Sequence, residues 1–159
     1  MRWSFGLVGL VLAVLLVSSA GIARAYPSHS QAAKKDSVTG GFHDIYGFNN
    51  GVQASSGPSG EDPTGHASAT SPTTGDKIRE DAVCVAVSGN LAAVGMVGTQ
   101  NGEPYSEVQI FRDGGPGGSG DGFDAFTGED PYDCVAFVDD AENAPAILKG
   151  NILVKDATP

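Results

Sequence analysis

Basic residues are the scarcest polar class in this chain. Its 159 residues include nine Lys and Arg against 19 Asp and Glu, so the formal net charge at pH 7 is −10. A surface of this sign repels the phosphates of nucleic acids and the headgroups of anionic lipids. We therefore predict that the protein binds neither nucleic acid nor a membrane. The same charge favours solubility and suits cations or basic partners.

Histidines are also few, and their spacing does not match the common metal and catalytic motifs. The three histidines are His29, His43 and His66, and no two of them stand at the spacing of a zinc site. The sequence contains no C-x-x-C pair and no G-x-S-x-G nucleophile motif. We therefore predict no catalytic residue, no cofactor-binding residue and a protein that is not an enzyme.

Long hydrophobic runs are absent except near the N-terminus. Phe5 to Val17 is an apolar run of 13 residues that follows Arg2, and Ala23-Arg24-Ala25 has the small-x-small pattern of a cleavage site. The run is shorter than the ~20 residues that cross a bilayer as a helix. These features predict a secreted, extracellular protein. The predicted organisation is a signal peptide, a flexible leader and a single β domain, over residues 1–25, 26–39 and 40–159 respectively.

Only two cysteines are present, Cys84 and Cys134. An even pair in a chain exported to an oxidising compartment predicts one disulfide bond. Such a bridge would contribute roughly 4 kcal/mol by closing a long loop. The alternatives are a redox pair or a metal thiolate site. These would need C-x-x-C spacing or additional His and Cys ligands, which the sequence does not supply.

Long helical periods are missing, whereas short alternating apolar runs recur between clusters of Gly, Pro, Ser, Asn and Asp. This pattern predicts an all-β fold, either a small antiparallel β-sandwich or a closed β-barrel of about seven to nine short strands with Gly-rich loops. In the hairpin over 82–97 the residues that point to either side are apolar, so we expect it to be buried on both faces or to line a barrel interior tightly. The predicted strands are 42–48, 52–56, 66–71, 82–88, 91–97, 105–112, 123–126, 135–138 and 150–156, with a turn at 49–51 between the first two.

An acidic, partly glycine-rich stretch runs from Asp113 to Glu142 and contains nine carboxylates with no Lys or Arg. Calcium takes carboxylate and carbonyl oxygens from flexible loops of this kind. If the stretch binds calcium, Asp113, Asp121 and Asp124 are the candidate ligands. The alternative is a set of solvated loops whose charge serves solubility. No other cofactor is predicted.

Six short motifs of turn and strand residues stand along the chain: SGPSGEDPxG at 56–65, CxAVxGNxA at 84–92, FxDxGP at 111–116, DxF at 121–123, DC at 133–134 and GNIxV at 150–154. Together they resemble those of a group of secreted bacterial proteins that is common in actinobacteria and has no established activity. The resemblance covers roughly residues 40–157 and implies export, an all-β fold and a Cys84–Cys134 bridge, but no catalytic residue. Members often have Asn-Pro where this chain has Asp62-Pro63, a change that leaves the turn intact.

These observations predict a secreted, non-enzymatic β domain that binds an extracellular partner or has a structural role. Three alternatives stay open. The first is a calcium-stabilised module, and the second is a carrier that holds a small lipophile in the interior of a barrel. The third is a hydrolase, which would need a deep pocket holding His43 or His66 beside a serine and a carboxylate. The identity of the partner and the oligomeric state do not follow from the sequence.

Overall fold

In the computed structural model, which describes residues 34–157, eight antiparallel strands form one curled sheet. The all-β prediction and the predicted number of strands are therefore confirmed. The strands lie side by side in the order β7-β6-β5-β4-β3-β2-β1-β8, so that the first seven form an up-and-down meander and the last returns beside the first. They are β1 (Asp36–His43), β2 (Asn49–Ser56), β3 (Thr64–Thr70), β4 (Lys77–Ser88), β5 (Leu91–Gln100), β6 (Glu103–Arg112), β7 (Gly122–Thr127) and β8 (Lys149–Lys155).

The first strand of the sheet begins within the segment that the sequence predicted to be a flexible leader. The strand β1 begins at Asp36, whereas the sequence predicted a flexible leader up to residue 39. The cause is Val38, which is fully buried in the sheet interior, together with the Asp36 carboxylate, which accepts a hydrogen bond from the Ala157 N–H at 2.7 Å. The predicted signal peptide and residues 26–33 of the predicted leader lie outside the described residues.

The first predicted strand and turn are also displaced. Residues 44–48 form a turn rather than the end of a strand, and Asn49 to Gly51 lie inside β2. The Asp44 carboxylate causes this, because one of its oxygens accepts the N–H groups of Tyr46 and Phe48, both at 2.9 Å. A side chain that accepts two nearby backbone donors stabilises a local turn in place of a strand ladder.

The inner face of the curled sheet carries the main hydrophobic core. The rings of Phe42, Phe111 and Phe123 meet in its centre, with centroids 4.8 to 6.4 Å apart. Aliphatic side chains from almost every strand surround them, because alternate residues of each strand point to the same face. The interior of the curled sheet is thus filled by its own side chains over much of its length.

A second, smaller core covers the outer face of β4, β5 and β6. Two 3₁₀ helices, Cys134–Phe137 and Asp139–Asn143, pack there against outward-facing residues such as Ala93, Val108 and Ile110. Burial on both faces is therefore confirmed for the centre of β5, whereas Cys84 and Ala86 on the outer face of β4 are half-buried. The predicted strand over 135–138 is wrong, because the backbone there makes local i→i−3 hydrogen bonds instead of pairing with a strand.

The two edges of the sheet, β7 and β8, are joined by a loop instead of a strand ladder. Residues 145–147 make an isolated bridge with the start of β7. The buried Asp121 carboxylate completes the connection, with one oxygen accepting the Gly114 N–H at 2.8 Å and the other accepting the Ile152 N–H of β8 at 2.6 Å. One carboxylate therefore holds the loop before β7 against the opposite edge strand.

Candidate functional site

A pocket of about 250 Å³ opens at the end of the curled sheet that carries the β1–β2, β3–β4 and β5–β6 turns. We call it the mouth pocket. Six strands contribute to it, along with the β1–β2 turn. Its lining is both apolar and polar. The lining residues are Asp44, Tyr46, Phe48, Asn50, Ala69, Ile78, Gln100, Tyr105, Glu107, Phe123, Ala125 and Thr127.

The aromatic core limits the depth of this pocket. Phe123 lines it and packs against both Phe42 and Phe111 behind it. Pockets for drug-sized ligands are typically ~300–1,000 Å³, so this one suits a smaller molecule. A long apolar chain would find the interior beyond Phe123 already occupied.

A buried polar cluster adjoins the mouth pocket, and we call Glu80, Tyr105, Glu107 and Gln109 the carboxyl cluster. Glu107 accepts hydrogen bonds from the Tyr105 hydroxyl and from the Gln109 amide, each at 2.6 Å. The same amide lies 3.3 Å from Oε2 of Glu80, and the two carboxyl groups also hydrogen-bond to each other. Glu80, Glu107 and Gln109 are only 4%, 4% and 5% exposed, so the cluster is nearly removed from solvent.

The curl and register of the sheet bring this cluster together across a strand. Glu80 lies on β4 and the other three residues lie on β6, with β5 between them. Gly98 of β5 pairs with Glu80 on one side and with Tyr105 on the other. A Cβ at Gly98 would collide with the Arg79 carbonyl and lie 2.6 Å from the Glu80 Cα. Glycine is therefore required here, and it leaves no side chain between the two halves of the cluster.

Burial decides the protonation state of the cluster. Burial, the negative charge of Glu107 and the hydrogen bond to it, in that order, raise the pKa of Glu80 from 4.5 to about 9. Burial and the contact with Glu107 also raise the pKa of Tyr105. At neutral pH Glu80 is therefore an uncharged carboxylic acid beside Glu107.

One oxygen of the cluster has no donor. Oε1 of Glu80 is inaccessible to solvent and meets no N–H or O–H group within residues 34–157. A buried acceptor that lacks a partner costs about 1–3 kcal/mol. Such groups are rare in folded proteins and concentrate at functional sites. This unused acceptor lies inside the cluster, because Glu80 does not itself line the mouth pocket.

The rim of the mouth pocket is held by two further carboxylates. Asp44 orders the β1–β2 turn and also accepts the Asn50 side-chain amide at 2.8 Å. Tyr46, which is 56% exposed, donates its hydroxyl to Oδ1 of Asp124 on β7 at 2.7 Å. This hydrogen bond raises the pKa of Tyr46. It also fixes an aromatic ring across the gap between the turn and β7.

The predicted disulfide is confirmed. Cys84 and Cys134 are bonded, with their Cα atoms 5.9 Å apart. The bridge joins the outer face of β4 to the first 3₁₀ helix and contributes nothing to the mouth pocket. Gly95 of β5 allows the chain just before the first 3₁₀ helix to pack directly against the sheet, because a Cβ at Gly95 would collide with the carbonyl group of Pro131.

The three candidate calcium ligands do not converge on one site. The two oxygens of Asp113 accept backbone N–H groups from Gly115 and Val154, and Asp121 bridges the sheet edges as described above. Asp124 is hydrogen-bonded at the rim of the mouth pocket. Within the described part of the chain, no group of three or more His, Cys, Asp or Glu is arranged to hold a metal ion. Calcium binding therefore stays a prediction that these contacts do not support.

His43 and His66 do not line the mouth pocket. His43 contacts the Asn49 side chain at 3.1 Å, whereas His66, exposed on β3, lines a separate open pocket of about 360 Å³ together with Ser68, Glu80 and Asp81. That pocket places a histidine beside a serine and two carboxylates, so the hydrolase alternative stays a prediction. His29 lies outside the described residues.

The carboxyl cluster was not among the sites predicted from the sequence. The strand pattern could have indicated it. Glu80 lies on the same face of its strand as buried Ile78 and Ala82, and Glu107 lies on the same face as buried Phe111. A carboxylate at an inward position of a strand is costly unless it is paired or protonated. Such a position therefore indicates a buried site.

No protein-family model, no curated protein and no solved structure matches this chain. The resemblance to secreted actinobacterial proteins therefore stays a prediction. Within residues 34–157 no helix has the length and apolar character of a membrane span.

Proposed function

We propose that this chain is an exported, non-enzymatic binding domain that holds a small molecule in the mouth pocket. The observation that carries the proposal is the pocket itself, in which an apolar wall faces several polar groups. Binding sites in proteins typically combine a concave apolar surface with a few well-placed polar groups. The mouths of β-barrels are among the common places for them.

Export is supported by the disulfide and by the signal-type apolar run at the N-terminus. Disulfides persist in oxidising compartments and are rare in the cytosol. The filled interior behind Phe123 leaves room for a small ligand only, so the lipophile carrier is not our proposal.

A fragment screen tests this function. The full chain would be produced in an exporting bacterial host, recovered after secretion, and screened against small fragments by saturation-transfer NMR. Intact mass would show in the same sample whether residues 1–25 have been removed. We expect fragment binding that is lost in Ala125→Leu, because the larger side chain fills the pocket.

The matched control is Ala136→Leu, the same change at an exposed alanine of the first 3₁₀ helix. It should leave fragment binding intact. Fragments that bind equally well to Ala125→Leu, or a complete absence of binding fragments, would contradict the proposal.

A further inference from the structure

We propose that the mouth pocket takes a small organic cation, an amine or a guanidinium group, which pairs with the Glu107 carboxylate. This inference rests on the proposed function, because it names the class of ligand for the same pocket. Three features of the described residues lead to it: the charge of the lining, the aromatic rings around it and the remaining acceptor capacity of Glu107.

The charge of the pocket has one sign. Asp44 and Glu107 line it, Glu80 hydrogen-bonds to Glu107, and Asp124 holds the rim through Tyr46. Among the described residues that line the pocket, none is Lys, Arg or His. In a low-dielectric pocket an unbalanced set of carboxylates attracts a cation and repels an anion.

The aromatic rings suit the same ligand. Tyr46, Phe48, Tyr105 and Phe123 line the pocket together with the carboxylates. The faces of aromatic rings attract ammonium and guanidinium groups, most strongly where water is excluded. A neutral apolar ligand would use the rings but would leave the carboxylates unpaired.

The hydrogen bonds of Glu107 also leave capacity for a further donor. Glu107 lines the pocket, and each of its two oxygens accepts one bond, from Tyr105 or from Gln109. A carboxylate oxygen has two lone pairs, so Glu107 can accept a further bond. Ammonium and guanidinium groups carry several donors and no acceptor, which matches this excess of acceptors.

Binding of a cation should release the proton of Glu80. In the free protein the negative charge of Glu107 is one of the causes that keep Glu80 protonated. A bound positive charge would offset Glu107 and favour the ionised form of Glu80. The proton passes from Glu80 to the solvent, no covalent bond to the ligand forms, and the Glu107 carboxylate then pairs with the cation beside an ionised Glu80.

The other groups around Glu80 do not account for a pH dependence of cation binding. Its partners on the flanking strands, Ala67 of β3 and Gly98 of β5, do not titrate. Tyr105 and Glu107 face it from β6, and burial keeps the Tyr105 hydroxyl protonated through the neutral range. From the β1–β2 turn, Asp44 and Tyr46 lie at the rim of the pocket. The pH dependence is therefore assigned to the Glu80–Glu107 pair.

Three probes of similar size and different charge test the inference. Benzylamine is a cation, benzyl alcohol is neutral and benzoate is an anion near pH 7. Each would be titrated into the secreted full chain by NMR at pH 6, 7 and 8. We expect benzylamine to bind, and its affinity to rise tenfold or more from pH 6 to pH 8, because loss of one proton gives up to tenfold per pH unit. Benzyl alcohol and benzoate should bind at least tenfold more weakly.

Variants separate the cluster from the rest of the surface. Glu80→Gln should remove the pH dependence, and Glu107→Gln should weaken benzylamine binding more than tenfold. Asp81→Asn, a change at the exposed neighbour of Glu80 on β4, should behave like the unmodified protein. Calorimetry of the unmodified protein in two buffers of different ionisation enthalpy gives a second measure, because it detects the released proton directly.

Each outcome bears on one proposal or on both. If fragments bind the pocket but benzylamine binds no better than benzyl alcohol or benzoate, the inference is wrong and the proposed function stands. The same holds if benzylamine binds without a pH dependence and without proton release. If no small molecule of either experiment binds, both proposals fail.

Discussion

Replacing Glu80 by glutamine should change how the stability of this protein depends on pH. The variant keeps the size of the side chain and a donor toward Glu107, but it removes the ionisable group. In the unmodified protein Glu80 is a buried acid whose pKa is about 9 in the folded state, against an ordinary value of 4.5. A difference between folded and unfolded pKa values makes the free energy of unfolding depend on pH.

The sign follows from the protons bound in each state. Below pH 4.5 both states hold the proton, and the full contribution to stability is present. Between that pH and about 9 the unfolded chain loses the proton while the folded protein keeps it, so stability falls as pH rises. One pKa unit corresponds to about 1.4 kcal/mol, so the complete shift sets an upper bound of about 6 kcal/mol. Relaxation and water entry through the pocket reduce this, and we expect a loss of about 3 kcal/mol across the range.

Urea unfolding followed by circular dichroism, at intervals from pH 5 to pH 9, measures this effect. The free energy of unfolding of the unmodified protein should fall with rising pH, and that of Glu80→Gln should change by less than about 1 kcal/mol over the same range. Asp81→Asn, the exposed control, should follow the unmodified protein. If the unmodified protein and Glu80→Gln lost equal stability between pH 5 and pH 9, the assignment of a protonated Glu80 would be refuted.

Three further predictions concern the elements that hold the sheet in shape. Replacing Cys84 and Cys134 together by serine should lower the free energy of unfolding by about 4 kcal/mol in urea. Alkylation of either thiol before reduction would contradict the bridge. Asp121→Asn places an amide against two backbone donors and should lower the free energy of unfolding by about 2 kcal/mol in the same assay. An unchanged free energy of unfolding would show that the connection between the two sheet edges is unimportant for stability. Gly95→Ala should lower the free energy of unfolding by about 2 kcal/mol, because the new Cβ pushes the 3₁₀ segment outward. The control is Gly41→Ala, where a Cβ meets nothing within 4 Å, and its loss should be much smaller. Equal losses in the two variants would contradict this packing.

Much of the strand pattern was predictable because its signals are local. Residues 91–97 and 105–112, for example, lie within β5 and β6. On β6, Val108 and Ile110 pack in the outer core, whereas Phe111 packs in the inner core. On β8, Ile152 and Val154 alternate with exposed residues and are both buried. Alternation depends only on the pleat of a strand, so it can be recognised in the sequence without knowing which strands pair with it.

The errors occur where a side chain overrides the pattern. The alternation of Phe42, Asp44, Tyr46 and Phe48 continues through a turn, because the Asp44 carboxylate binds the backbone of the residues that follow. Residues 135–138 are apolar like a strand, but the disulfide at Cys134 holds them on the outer face of the sheet, where they form a 3₁₀ helix.

The sequence by itself determined the all-β class and the single disulfide, because both follow from local alternation and from a count of two cysteines. Only the tertiary structure decided that the eight strands form one curled sheet with a pocket at its mouth. It also decided that Glu80 and Glu107, 27 positions apart, form a buried pair. That contact depends on strand register and on Gly98, which leaves no side chain between β4 and β6. A low dielectric then makes the pair share a proton, a property that neither residue has alone in water.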